Sequence, residues 1–143
     1  MLAEARAAAK NNSDIIVLCL PPTCNVEINA IQRASAIILQ KSLKEGFGLT
    51  VSEALWKGKP VIAGATGGIP LQITHKYSGI LTRTIEGTAY WMKRLLHESD
   101  YARKLGENGR EHVRENFLLT RHLRDYLLIA LYLENGRQDF IRV

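Results

Sequence analysis

Glu45-Gly46-Phe47-Gly48-Leu49-Thr50-Val51-Ser52-Glu53-Ala54-Leu55-Trp56-Lys57-Gly58-Lys59-Pro60-Val61-Ile62 contains a whole loop, helix and strand in one run. Two glycines without periodicity mark the loop. Val51, Ala54 and Leu55 share one side of a helix over residues 49–57, and Gly58 stands where a left-handed residue ends helices. Residues 60–63 are short and β-branched, as a buried strand is. Outward from this unit the alternation continues. Residues 1–10 are helix formers that stop at Asn11-Asn12-Ser13-Asp14, and residues 15–20 predict a buried strand closed by Pro21-Pro22. A short helix from Asn25, which is available as its N-cap, leads to a second strand over 36–39.

Downstream, residues 64–70 form a second glycine-rich loop at a strand end. Residues 71–77 carry no decisive pattern, and 79–82 predict a fourth strand. Three helical stretches follow, about 85–97, 100–115 and 118–133, then a weakly patterned tail. Strands separated by helices with short loops imply a parallel sheet, because parallel neighbours need a crossover. The expectation is an α/β fold: one Rossmann-like domain over residues 1–143, a parallel sheet flanked by helices, ending in a terminal helix and tail over about 118–143. Ligands of such sheets bind at the carboxyl ends of the strands, where the two glycine loops fall.

Composition agrees with one folded domain. The chain has 143 residues, of which 46% are hydrophobic and 23% charged, which excludes a disordered tail or a disulfide-dense mini-protein. The formal charge of +5 is spread along the chain, without the basic stripe and interleaved aromatics that nucleic-acid binding needs. Cys19 and Cys24 lack redox or zinc spacing, and two reduced thiols point to the cytoplasm. No apolar run approaches the ~20 residues of a membrane span. His75, His97, His112 and His122 show no metal spacing, so no metal is expected. Trp56 reads as core or interface packing.

The chemistry lies in the two acids and the glycines between them. Glycines let backbone amides approach a ligand, and the first amides of a helix are unpaired donors at its positive end, which suits a diphosphate near Gly48, Leu49 and Thr50. Ionised carboxylates only accept hydrogen bonds and so suit sugar hydroxyls. Glu45 and Glu53, eight residues apart, then meet the two ends of one nucleotide sugar. Each acid alone also fits a plainer role, a solvated loop acid or a complement to the helix dipole.

Glu-Gly-Phe-Gly-Leu followed by Glu53-Ala54, then Gly58-Lys59-Pro60-Val61-Ile62, then Gly67-Gly68, resembles the donor-site signature of retaining glycosyltransferases with two Rossmann domains, the GT-B type. Residues 29–35 leading into Ile37-Ile38-Leu39-Gln40, and Asn116-Phe117, are most similar to the C-terminal half of archaeal trehalose-forming synthases. The resemblance implies a C-terminal GT-B domain. Glu45, Gly46, Phe47 and Gly48 would hold the donor sugar, Leu49 and Thr50 the diphosphate and Glu53 the ribose, while Gly67 and Gly68 would leave space in the cleft. It implies no cofactor, only a nucleotide sugar (UDP-, ADP- or GDP-glucose) as donor. It assigns no catalytic base in this chain.

Only 44 residues precede Glu45, so the acceptor domain and the upstream Arg/Lys pair for the diphosphate are expected to be missing, leaving a chain that is expected to be catalytically weak or dead alone. His75-Lys76-Tyr77-Ser78-Gly79 replaces the family's Asp/Asn-Gly turn. The apolar terminal helix, with Leu123, Leu127, Leu128, Leu131 and Leu133, is expected to meet a second copy or a separate acceptor domain. Two other functions fit the same residues: a non-catalytic nucleotide-sugar-binding module that dimerises, and half of a disaccharide phosphorylase.

Overall fold

The structure, a computed structural model, describes residues 2–134. The chain divides into two compact units, Met1–Ile31 and Gln32–Val143. The first holds α1 (Leu2–Ala9) and the start of α2 (Asn25–Ala34). Between them, the strand expected at 15–20 does not form. A strand exists only where a neighbour completes its ladder. This run has none among the described residues, its Ile16 is 78% exposed, and Pro21 and Pro22 remove two donors at its end.

The second unit is built on three short parallel strands: β1 (Ile38–Gln40), β2 (Val61–Gly64) and β3 (Ile80–Thr82), in the order β1-β2-β3. Ile38 pairs with Val61, and Ile62 with Ile80. The first lies two residues later than the sequence pattern placed it, because Ala36 and Ile37 precede the ladder. Between and beyond the strands run α3 (Leu49–Trp56), the single turn α4 (Ile69–Gln72), α5 (Ile85–His97), α6 (Ser99–Asn116) and α7 (Leu119–Glu134).

Strand alternation sends β2 to both sides of the sheet. Val61 and Ala63 join Val51, Ala54, Leu55, Ile69 and Val113 in one core cluster, while Ile62 joins Ile80, Trp91, Leu95 and Leu105 in another. Helices therefore cover both faces, and the strand interiors read as continuous apolar runs. Gly58 ends α3 with φ +70°, the left-handed conformation its position calls for. The turn at 75–79 forms with Lys76 at φ +66°, where a glycine or asparagine is usual. Its buried Ser78 hydroxyl accepts from the Thr74 amide at 2.9 Å.

The last helix, α7, has no buried residue, and Leu123, Leu127 and Leu131 are exposed. Among the described residues no helix is long and apolar enough to cross a membrane. No group of His, Cys, Asp and Glu there could hold a metal ion. The expected tail beyond residue 134 lies outside the described residues.

Candidate functional site

All three strands end at the same edge, and the two glycine loops leave from β1 and β2 there. In the first loop Glu45 is half-buried and held by neutral donors. The Gln40 amide reaches its Oε2 at 3.2 Å, the Ser42 hydroxyl the same oxygen at 3.1 Å, and the Gly46 backbone amide its Oε1 at 3.1 Å. Gln40 also donates to the Ser42 hydroxyl at 2.8 Å, so the strand end and the loop form one network. Among the described residues no cation pairs with this carboxylate, which is thus oriented by neutral donors and retains lone pairs for further ones.

The same loop turns into α3 at Gly48, which sits at φ +87° and ψ +58° with the Ile69 side chain 3.0 Å from where a Cβ would be. A side chain at this position would strain that backbone angle and crowd Ile69. Among the described residues no side chain caps the helix, and the Val51 amide turns back onto the Gly48 carbonyl at 2.9 Å. The amides of Leu49 and Thr50 open α3 as free donors at its positive end.

One turn inside, Glu53 is exposed. Its Oε2 accepts from the buried Gln32 amide at 3.4 Å, and Gln32 in turn accepts from Lys57 at 2.5 Å. The two acids therefore flank the opening of one helix, one on the preceding loop and one on its surface.

The second loop lies directly on the first. Gly68 N donates to the Gly46 carbonyl at 2.6 Å. Gly67 has φ +55°, and a Cβ there would lie 1.8 Å from the Glu45 carbonyl oxygen. Their missing side chains serve this loop-on-loop contact. The Phe47 ring stands edge-on to Phe117 with centroids 5.7 Å apart and is otherwise partly exposed.

Gln72 is the residue that sequence reasoning missed. It is fully buried on α4, where its amide donates to the Phe47 carbonyl and its Oε1 accepts from Ser52 at 2.5 Å. One side chain thereby ties the first loop to α3 and α4. The signal was an amide inside the apolar run Ile69-Pro70-Leu71-Gln72-Ile73. Lys41 was also overlooked: its ammonium donates to the Thr82 carbonyl at 3.3 Å and hydroxyl at 3.1 Å, linking the ends of β1 and β3.

Burial, then the charge of Lys76, lowers the pKa of His75 from its ordinary value of 6.5, and its Nδ1 accepts from the Leu81 amide at 3.1 Å.

The sequence profile of the family described as "Glycosyl transferases group 1" matches residues 3–112. The chain is 52% identical over 102 residues to a trehalose synthase of Rubrobacter xylanophilus, and 48% identical over 101 residues to one of Thermococcus litoralis. Each alignment covers 71% of this chain and 24% of the relative, so the chain spans about a quarter of the relatives' length. Among solved structures, the sucrose-phosphate synthase of Thermosynechococcus elongatus aligns with a TM-score of 0.74 and 27% identity, over 94% of this chain and 34% of that one. An Anabaena protein in complex with UDP-glucose aligns with a TM-score of 0.72 at 19% identity, over 90% and 35% respectively. These neighbours are glycosyltransferases of the GT-B fold, and the parallel sheet flanked by helices described above is of that type.

Proposed function

The chain belongs to the group 1 glycosyl transferases, and from that premise we propose that it is the part of a retaining, trehalose-synthase-like hexosyltransferase that binds the nucleotide-sugar donor. The observation that carries this reading is the placement of Glu45 and Glu53 on either side of the uncapped start of α3. Glu45, held open by Gln40, Ser42 and Gly46, takes hydroxyls of the donor glucose. Gly46, Phe47 and Gly48 bring backbone close to the same sugar. Amides of Leu49 and Thr50 hold the diphosphate, and Glu53 accepts from the ribose hydroxyls.

These roles are mainly those of binding and leaving-group stabilisation. Charge that develops on the departing nucleoside diphosphate meets oriented amides at a helix start, which need no reorganisation during reaction. The Anabaena neighbour was solved with UDP-glucose, which supports a nucleotide sugar as the donor class.

Calorimetric titration separates the two acids. The chain is expected to bind UDP-glucose saturably; Glu53→Ala should weaken UDP and UDP-glucose alike by about tenfold, equivalent to ~1.4 kcal/mol. Glu45→Ala should weaken UDP-glucose while leaving UDP unchanged. Absence of saturable binding with UDP-, ADP- and GDP-glucose, or unaltered affinity in both variants, overturns the reading.

A further inference from the structure

Among the hollows of the second unit that cations line, two differ in how the charge is met. The hollow of about 510 Å³ between the end of α6 and the start of α7 is lined by Arg114, Arg121 and Arg124. All three are paired with acids: Arg114 with Glu111, Arg121 with Asp125 at 3.0 Å and Arg124 with Asp125 at 3.5 Å. The hollow of about 390 Å³ at the carboxyl ends of β1, β2 and β3 is lined by Lys41 and Arg83, the hydroxyl residues Ser42, Thr66, Thr82 and Thr84, and the apolar Leu43, Ala65 and Ile85; among the described residues no carboxylate lines it.

We propose that this strand-end hollow binds a phosphate group, held by Lys41 and Arg83 beside the donor sugar. Lys41 is fixed in position: its two hydrogen bonds to Thr82 anchor the ammonium, and the buried Thr82 hydroxyl is itself tied to the Thr88 hydroxyl at 2.9 Å. An ammonium has three protons, so one is left for a ligand. Arg83 has no ion pair among the described residues and offers a guanidinium fork suited to phosphate oxygens. Thr84 Oγ1 accepts from the Gly87 amide at 3.0 Å, which leaves its own proton to donate. An oxyanion answers the charge of both cations that line the hollow, whereas a neutral sugar hydroxyl leaves it uncompensated.

Ser42 connects this hollow to the donor site. It lines the hollow and donates to Glu45 Oε2 at 3.1 Å, so the phosphate lies one side chain away from the acid assigned to the glucose. For that neighbour the inference rests on the donor-binding reading. The phosphate is then either free or carried by an acceptor sugar.

The test titrates the chain with inorganic phosphate and with glucose 6-phosphate at constant ionic strength, following backbone amide shifts by NMR and heat by calorimetry. Saturable binding is expected, with shifts at residues 41–42, 64–66 and 82–84. Arg83→Gln, which leaves every hydrogen bond of the fold in place, should weaken it by about tenfold without altering UDP-glucose affinity. Lys41→Met, which also removes the two hydrogen bonds to Thr82, should likewise weaken phosphate binding. Saturation by both ligands identifies free phosphate; saturation by glucose 6-phosphate alone identifies the phosphoryl group of an acceptor. No saturation by either, shifts confined to residues 48–50, or equal affinity in Arg83→Gln overturns the proposal. A chain that binds phosphate at residues 82–84 but no nucleotide sugar overturns the donor reading and leaves this site standing.

Discussion

Along α6, two of the arginines find a carboxylate about one turn away: Arg103 meets Asp100 at 3.1 Å and Glu107 at 3.2 Å, and Arg114 meets Glu111. At the strand ends the pattern reverses. Glu45 is held by an amide side chain, a hydroxyl and a backbone amide, while Lys41 is held by Thr82. Charges on the helix neutralise each other in solvent. Those at the strand ends are positioned by neutral groups and left available. Solvent-exposed pairs are screened and replaceable, whereas a loop seated on another loop through glycines and one buried amide has no slack. Sensitivity to mutation should therefore concentrate at the strand ends.

Gly67→Ala should show this most strongly. The new Cβ would sit 1.8 Å from the Glu45 carbonyl oxygen at a backbone angle of +55°, and backbone on both sides must move. A loss of roughly 2–4 kcal/mol is expected, read as a lowered midpoint in urea, together with weaker UDP-glucose binding. A midpoint equal to wild type would show that the two loops are not seated as described.

Gln72→Ala comes next. It strands the Phe47 carbonyl and the Ser52 hydroxyl, for which about 1–3 kcal/mol is the ordinary cost. Gln72→Glu sharpens the comparison, because it keeps an acceptor for Ser52 but loses the donor to Phe47. If the amide acts by holding the loop, the Glu variant should bind UDP-glucose more weakly than wild type even where it remains folded.

What the sequence made legible was local. The run from Glu45 to Ile62 announced its loop, helix and strand because glycines, 3.6-residue spacing and β-branched residues each act on their own neighbourhood, and α5 begins and ends at Ile85 and His97 as its pattern placed it. What escaped depends on distant partners. Residues 15–20 have a strand's composition but no ladder, and composition cannot supply a neighbour. Gln72 bonds to residues 25 and 20 positions upstream. Gly67 and Gly68 were legible as glycines, but that their hydrogens face the backbone of the first loop emerges only when the loops meet.

A pH effect sets the turn before β3 apart from the helix surface more gently. His75 has a pKa below 6.5 in the folded chain, by burial first and then by Lys76. Its stabilisation is therefore full above the unfolded value of 6.5 and is lost as pH falls through the lowered folded value. Protonation also removes the Nδ1 lone pair that accepts the Leu81 amide beside β3. An NMR titration of the ring should give a midpoint below 6.5, and the Leu81 amide should move with it. A midpoint at or above 6.5 would contradict both the burial and the hydrogen bond.

Arg103→Ala supplies the opposite limit. It removes two ion pairs at once, yet the arginine and its partners are each at least three-fifths exposed, so water replaces most of what is lost. Its urea midpoint should match wild type within error, at low salt and in about 0.5 M NaCl alike. A clear fall at low salt that disappears in high salt would mean that α6 draws stability from its charges after all. The contrast between a replaceable helix surface and an exacting strand edge would then be one of degree rather than of kind.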